Sequence, residues 1–132
     1  GQPAERPAPE VADPETGLLI LYTSGTTGPA KAALISQRAL IARMVLLRTD
    51  LDVDPDDAFL AWPPMFHMGG TEHSLSTLMM GGSVFVADGF DVDYIVRVIG
   101  EVRLGWLLLV PATIERLIEA LDRAGTRPVG IK

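Results

Sequence analysis

The chain has 132 residues, 17 acidic against 11 basic side chains for a formal charge of −6, and no cysteine. That length gives room for one hydrophobic core, and the missing cysteines exclude a disulfide framework or thiolate metal site and point to a reducing, cytoplasmic setting. With 48% apolar and 21% charged residues the composition excludes a largely disordered protein, and the acidic balance argues against a broad basic face for nucleic acid or anionic membrane.

Residues 1–16 carry four prolines and several carboxylates with almost no large apolar side chain, which predicts an extended lead-in. They show no charged region followed by an apolar core, and nowhere do eighteen apolar residues run unbroken, so neither an export signal nor a membrane span is expected. Residues 17–132 read as one folded body. Leu18 to Tyr22 is a first apolar run, followed by the loop TSGTTGPAK; Ser36 then N-caps a helix to about Arg48, with Leu40, Met44 and Leu47 on one face.

The acidic turn from Asp50 to Asp57 alternates carboxylates like a calcium loop. It fails that pattern at Pro55 in the sixth position and Ala61 in the twelfth, and reads as a solvated turn. Phe59 to Trp62 is a second run, stopped by Pro63 and Pro64. Thr71 to Met80 reads as a helix with Leu75, Leu78 and Met79 inward, ended by Gly81 and Gly82.

Ser83 to Ala87 is a third run, rich in strand-favouring side chains. Asp91 caps a helix with Ile95, Val96 and Ile99 inward. Trp106 to Val110 is the fourth run, and a last helix carries Ile114, Leu117, Ile118 and Leu121 at helical spacing before a stop at Gly125. Val129 and Ile131 are placed to begin a fifth strand. Four βα units in succession, with strands apolar on both faces, predict an α/β fold with a largely parallel sheet covered by helices.

Several chemistries fail on spacing. Gly25 and Gly28 are too close, and Lys31 too far beyond them, for a Walker A loop; G-x-G-x-x-G and G-x-S-x-G are absent. His67, Glu72 and His73 lack the H-E-x-x-H spacing of a helical zinc site. What remains is a Thr/Ser/Gly loop directly after a strand, where α/β sheets bind ligands. Its bland alternative is an ordinary turn whose hydroxyls cap a helix. Lys31 and Lys132 are the only lysines in a chain that otherwise uses arginine, so the loop carries a compact point charge.

Tyr22-Thr-Ser-Gly-Thr-Thr-Gly-Pro-Ala-Lys31 resembles the phosphate-loop signature of the adenylate-forming superfamily, with Pro29 one place early and Ala32 after the lysine. Pro63-Pro-Met-Phe-His-Met-Gly-Gly70 resembles the P-x-F-H element of that superfamily's acyl-CoA synthetases. The likeness runs from about residue 17 to 125, and it implies an internal piece of a large N-terminal nucleotide- and acyl-binding domain. The implied activity joins a carboxylic acid to coenzyme A at the expense of ATP with Mg2+, in a setting such as fatty acid metabolism. Thr23, Ser24, Gly25, Thr26, Thr27 and Gly28 would hold the phosphates, with Lys31 and His67 as catalytic groups. Phe66, His67, Met68 and Gly69 would border the acyl substrate.

The superfamily's Tyr-Gly-x-Thr-Glu element, hinge and C-terminal lysine have no match here. The chain alone is therefore expected to be inactive, and to self-associate through faces left uncovered. A stand-alone nucleotide-binding or interaction module without catalysis is the competing expectation.

Overall fold

The computed structural model describes residues 12–22 and 28–131. Its elements are β1 (Gly17–Tyr22), β2 (Ala32–Ser36), α1 (Gln37–Leu51), β3 (Ala58–Ala61), α2 (Met68–Met79), β4 (Val84–Val86), α3 (Val92–Glu101), β5 (Leu104–Trp106) and α4 (Pro111–Ala124). The last three strands form a parallel sheet in the order β4-β3-β5, and β1 and β2 form a separate antiparallel pair.

The parallel sheet is the α/β body that the sequence predicts. β3 lies at its centre, paired to β4 from Phe59↔Val84 to Ala61↔Val86 and to β5 from Ala58↔Leu104 to Phe59↔Trp106. Its four residues are all buried, as a strand covered on both faces must be. The core gathers on it: Ala58 and Leu60 meet Ile95, Val96, Val98 and Ile99 of α3, Leu104 of β5, and Leu117 and Ala120 of α4. Ile131 bridges Leu104 in parallel, and the Leu104 N–H donates to the Gly130 carbonyl at 3.0 Å, so the fifth run adds to the sheet beside β5.

Three caps fall where the sequence puts them. The Ser36 hydroxyl accepts from the Ala39 N–H at 3.2 Å, and the Asp91 carboxylate accepts from the Tyr94 N–H at 3.1 Å. Gly125 closes α4 with φ 62°, a left-handed conformation that favours glycine.

Other details differ. β1 does not join the parallel sheet: it pairs with β2, a strand absent from the sequence reading, from Gly17↔Ser36 to Tyr22↔Ala32. The fourth run enters its ladder earlier, at Leu104 rather than Trp106. On α2 the buried side chains are Thr71, Glu72, Ser74, Ser76 and Thr77, while Leu78 and Met79 face outward. On α4, Leu117 is buried but Ile114 and Ile118 are exposed. The acidic turn is not wholly solvated either, because Asp57 is buried, accepting from the Asp54 N–H at 2.8 Å and pairing with the Arg103 Nε at 3.0 Å. Among the described residues no helix is long and apolar enough to cross a membrane.

Candidate functional site

In a parallel sheet the loops leaving the strands' carboxyl ends share one edge, where α/β folds bind ligands. Here the loop after β3 is residues 62–67, and it turns directly into α2. Pro63 ends the strand because it has no N–H to give the ladder. The His67 N–H donates to the Pro64 carbonyl at 2.9 Å, closing a tight turn around Met65 and Phe66. Phe66 is 82% exposed, an unusual setting for a large aromatic side chain.

His67 is the N-cap of α2: its Nδ1 accepts from the Gly69 N–H at 3.1 Å. The imidazole is exposed. Gly70 is required by close approach, since a Cβ there would stand 2.6 Å from the carbonyl oxygens of both Pro63 and Pro64. The first turn of the helix also ties the loop back, because the Thr71 hydroxyl donates to the Met65 carbonyl and the Ser74 hydroxyl lies 3.8 Å from the Met65 Sδ. Phe66, His67, Met68 and Gly69 are thus presented together at the mouth of β3.

The other two loops of this edge supply residues that the motif reading missed. Trp62 closes β3, and its indole Nε1–H donates to the Leu108 carbonyl, beyond β5, at 2.6 Å. Its ring meets Phe90, from the segment after β4, edge-on at 5.1 Å, and the Arg116 guanidinium lies 5.3 Å from the Phe90 ring centre. A Cβ on Gly69 would come within 2.8 Å of the Leu108 Cδ2, so Leu108 lies against the His67 turn. Trp62, Phe90 and Leu108 carry no motif. The signal that finds them is topological, since each follows the end of a parallel strand.

Behind this edge, His73 is wedged into the aromatic core, 3.6 Å from Trp106 and 5.6 Å from Phe59 between ring centres. Burial pushes its imidazole down to about 4, against a smaller upward pull from the Glu72 carboxylate. It is a core histidine held neutral. Glu72 itself is buried, with its charge met by Arg43 of α1, whose guanidinium is held above its usual range by the hydrogen bond to that carboxylate.

Of the phosphate-loop residues, Thr23, Ser24, Gly25, Thr26 and Thr27 lie outside the described residues. Gly28 and Lys31 are exposed, and Lys31 stands immediately before β2. The lysine and His67 therefore belong to different sheets, the first to the hairpin and the second to the edge of the parallel sheet. A cleft of about 630 Å³ between α3 and α4, lined by Asp93, Arg97, Gly100, Glu101 and Arg123 among others, lies on the helix faces and contains none of the motif residues.

The description "AMP-binding enzyme" belongs to the family model that matches residues 1–129. The chain belongs to the AMP-binding enzyme family. Among curated members, it is 40% identical over 106 residues to the indoleacetate–CoA ligase of Aromatoleum aromaticum, covering 80% of this chain and 21% of that protein. It is 32% identical over 120 residues to the sulfoacetate–CoA ligase of Cupriavidus necator, covering 90% and 23%.

Among solved structures, a malonyl-CoA ligase product complex with methylmalonyl-CoA and AMP bound superposes with a TM-score of 0.78 at 32% identity, covering 88% of this chain and 25% of that one. ATP-bound MatB from Rhodopseudomonas palustris superposes at 0.71 with 31% identity, covering 82% and 21%. The chain thus spans between a fifth and a quarter of the length of these AMP-binding relatives. Its α/β body is that of the adenylate-forming N-terminal domain. Among the described residues no three His, Asp or Glu side chains gather as a metal-ligand set.

Proposed function

We propose that this chain is the phosphate-loop and acyl-pocket portion of an ATP-dependent acyl-CoA ligase. In the first half-reaction a carboxylate oxygen attacks the α-phosphorus of ATP and the bond to pyrophosphate breaks, giving an acyl-adenylate. In the second, the thiol of coenzyme A attacks the acyl carbon and AMP leaves. Negative charge gathers on the phosphates in the first step, where preorganised donors lower the barrier most. Thr23, Ser24, Thr26 and Thr27, with the backbone of Gly25 and Gly28, hold the β- and γ-phosphates, and Lys31 adds a point charge. His67, with Phe66, Met68 and Gly69, faces the carboxylate from the mouth of β3.

The observation that carries this reading is the family match over residues 1–129 in a chain whose P-x-F-H turn sits at the carboxyl end of a parallel strand. The acids named by relatives, indoleacetate and sulfoacetate, set the first panel of substrates, with fatty acids beside them. The test is to express the open reading frame that contains these residues and measure carboxylate-dependent ATP–pyrophosphate exchange. Exchange with one acid of the panel, lost in Lys31→Ala or in His67→Asn, which keeps a side chain able to cap α2, is the expected result; no exchange with any acid overturns the reading.

The 132 residues alone are expected to give no exchange. Leu18, Ile20, Tyr22 and Leu34, all more than half exposed on the hairpin, favour self-association at tens of micromolar, which light scattering reads directly.

A further inference from the structure

The carboxyl edge of the parallel sheet holds one polar contact that neither motif calls for. Trp62 stands one residue beyond β3, and its side chain packs half-buried against the core. The indole Nε1–H donates to the Leu108 carbonyl at 2.6 Å, across 46 positions of chain. Leu108 lies two residues past the end of β5, where the backbone has left the ladder and its carbonyls need partners from elsewhere. An indole N–H, which seeks an acceptor once its ring is covered, meets that need.

The ring itself is held on a second side. Phe90, from the segment after β4, meets it edge-on at 5.1 Å, and the Arg116 guanidinium of α4 lies 5.3 Å from the Phe90 ring centre. Pro63 and Pro64 follow Trp62 directly, and their fixed φ leaves the chain between the indole and the His67 turn few conformations. Trp62 thereby joins the segments that leave β3, β4 and β5.

The Leu108 side chain completes a circuit. A Cβ on Gly69 would stand 2.8 Å from the Leu108 Cδ2 and 3.4 Å from the His67 Nδ1, so the leucine and the imidazole crowd the same glycine. That glycine's N–H is the donor to His67 Nδ1. From the indole, one path runs through Pro63 and Pro64 to His67. The other runs through the Leu108 carbonyl and side chain to Gly69, and so to the same imidazole.

We infer that Trp62 is a positioning residue: its indole N–H holds the Leu108 segment against Gly69 and so fixes the width of the space beside His67 that the acid enters. This deepens, and rests on, the acyl-CoA ligase reading, in which Phe66, His67, Met68 and Gly69 border the acid. Trp62 touches neither substrate in this account. Removing the N–H leaves the Leu108 carbonyl short of a partner, which favours conformers in which the segment turns toward water and Leu108 leaves Gly69. The acid then meets a wider and less defined wall, whereas the contacts proposed for the phosphates of ATP include none of these residues.

Trp62→Phe keeps an aromatic ring against Phe90 and removes the donor. In the whole expressed enzyme it is expected to raise KM for the acid about tenfold, with kcat and KM for ATP each within about twofold of wild type. A purely structural defect would lower the amount of active enzyme and leave both KM values in place. Because phenylalanine is also smaller, site-specific benzothienylalanine at position 62, which has the shape of tryptophan without the N–H, is expected to reproduce the shift.

Leu108→Ala removes the wall itself and is expected to raise KM for the acid by a similar factor. Since Trp62 acts through Leu108, adding Trp62→Phe to Leu108→Ala is expected to change that KM by less than about twofold. An unchanged KM for the acid in the benzothienylalanine enzyme overturns the inference, as do equal rises in both KM values or full additivity with Leu108→Ala. Absence of exchange in the wild-type enzyme is a separate result, which overturns the ligase reading and the inference with it.

Discussion

The two sheets of this chain are built on opposite terms. In β3 every residue is buried, with Ala58, Phe59, Leu60 and Ala61 between 0% and 4% exposed, and the strand is covered by helices on both faces. In β1 the apolar side chains alternate, and Leu18, Ile20 and Tyr22 on one face, with Leu34 of β2, are 56–70% exposed. The local sequences, LLILY and AFLA, are equally apolar. Burial is thus decided by what the topology brings to a strand, and the hairpin of β1 and β2 has one partly covered face while the sheet that carries the His67 turn has two.

The largest expected difference between them is in stability. Phe59→Ala, which empties a fully buried site stacked on Trp106 at 5.1 Å, is expected to cost about 3–5 kcal/mol, whereas Ile20→Ala on the open face is expected to cost about 1 kcal/mol or less. Urea denaturation of the two variants measures this directly, and equal losses would mean that the hairpin face is covered in solution.

Next is Gly70→Ala. The added methyl is directed at two backbone carbonyls that cannot swing aside, so about 1–3 kcal/mol is expected, together with a displaced His67 turn. A chemical-shift map should confine the change to residues near Pro63–Thr71; an undisturbed His67 signal would refute the close approach.

The smaller effect is on pH dependence. His73 is pushed down to about 4 from its ordinary 6.5 by burial. As pH falls through 6.5 the unfolded chain takes up this proton, and the folded chain does so only near 4. The contribution of neutral His73 is therefore complete above 6.5 and lost progressively between 6.5 and 4. After allowance for its partial exposure the loss is about 2 kcal/mol. His73→Phe should flatten that part of the stability profile, and an unaltered slope would assign it to other groups.

Much of this architecture is legible in the sequence, because it rests on local signals: Ser36 and Asp91 at their caps, Gly125 at its stop, and apolar spacing along α3. β2 is not, since AALIS becomes a strand only by pairing with β1 across the loop, and a non-local partner leaves no mark on five residues. Leu78 and Met79 mislead for a related reason. α2 buries small and hydroxyl side chains, Thr71, Ser74 and Thr77, with Gly70 against the proline carbonyls, so its large apolar residues are left outside. At the site, the P-x-F-H turn announces itself by motif. Trp62, Phe90 and Leu108 are brought to it only by the sheet's order, and Glu72 finds Arg43 only through the meeting of two helices.

The capping bond of His67 has a consequence for what that side chain can offer a ligand. In neutral imidazole one nitrogen carries the hydrogen and the other a lone pair. The lone pair here is Nδ1, already spent on the Gly69 N–H. The hydrogen must then reside on Nε2, the nitrogen at the far side of the ring. The backbone of α2 thereby selects the tautomer, and what His67 presents outward is a hydrogen-bond donor suited to an oxygen anion, rather than a base in search of a proton.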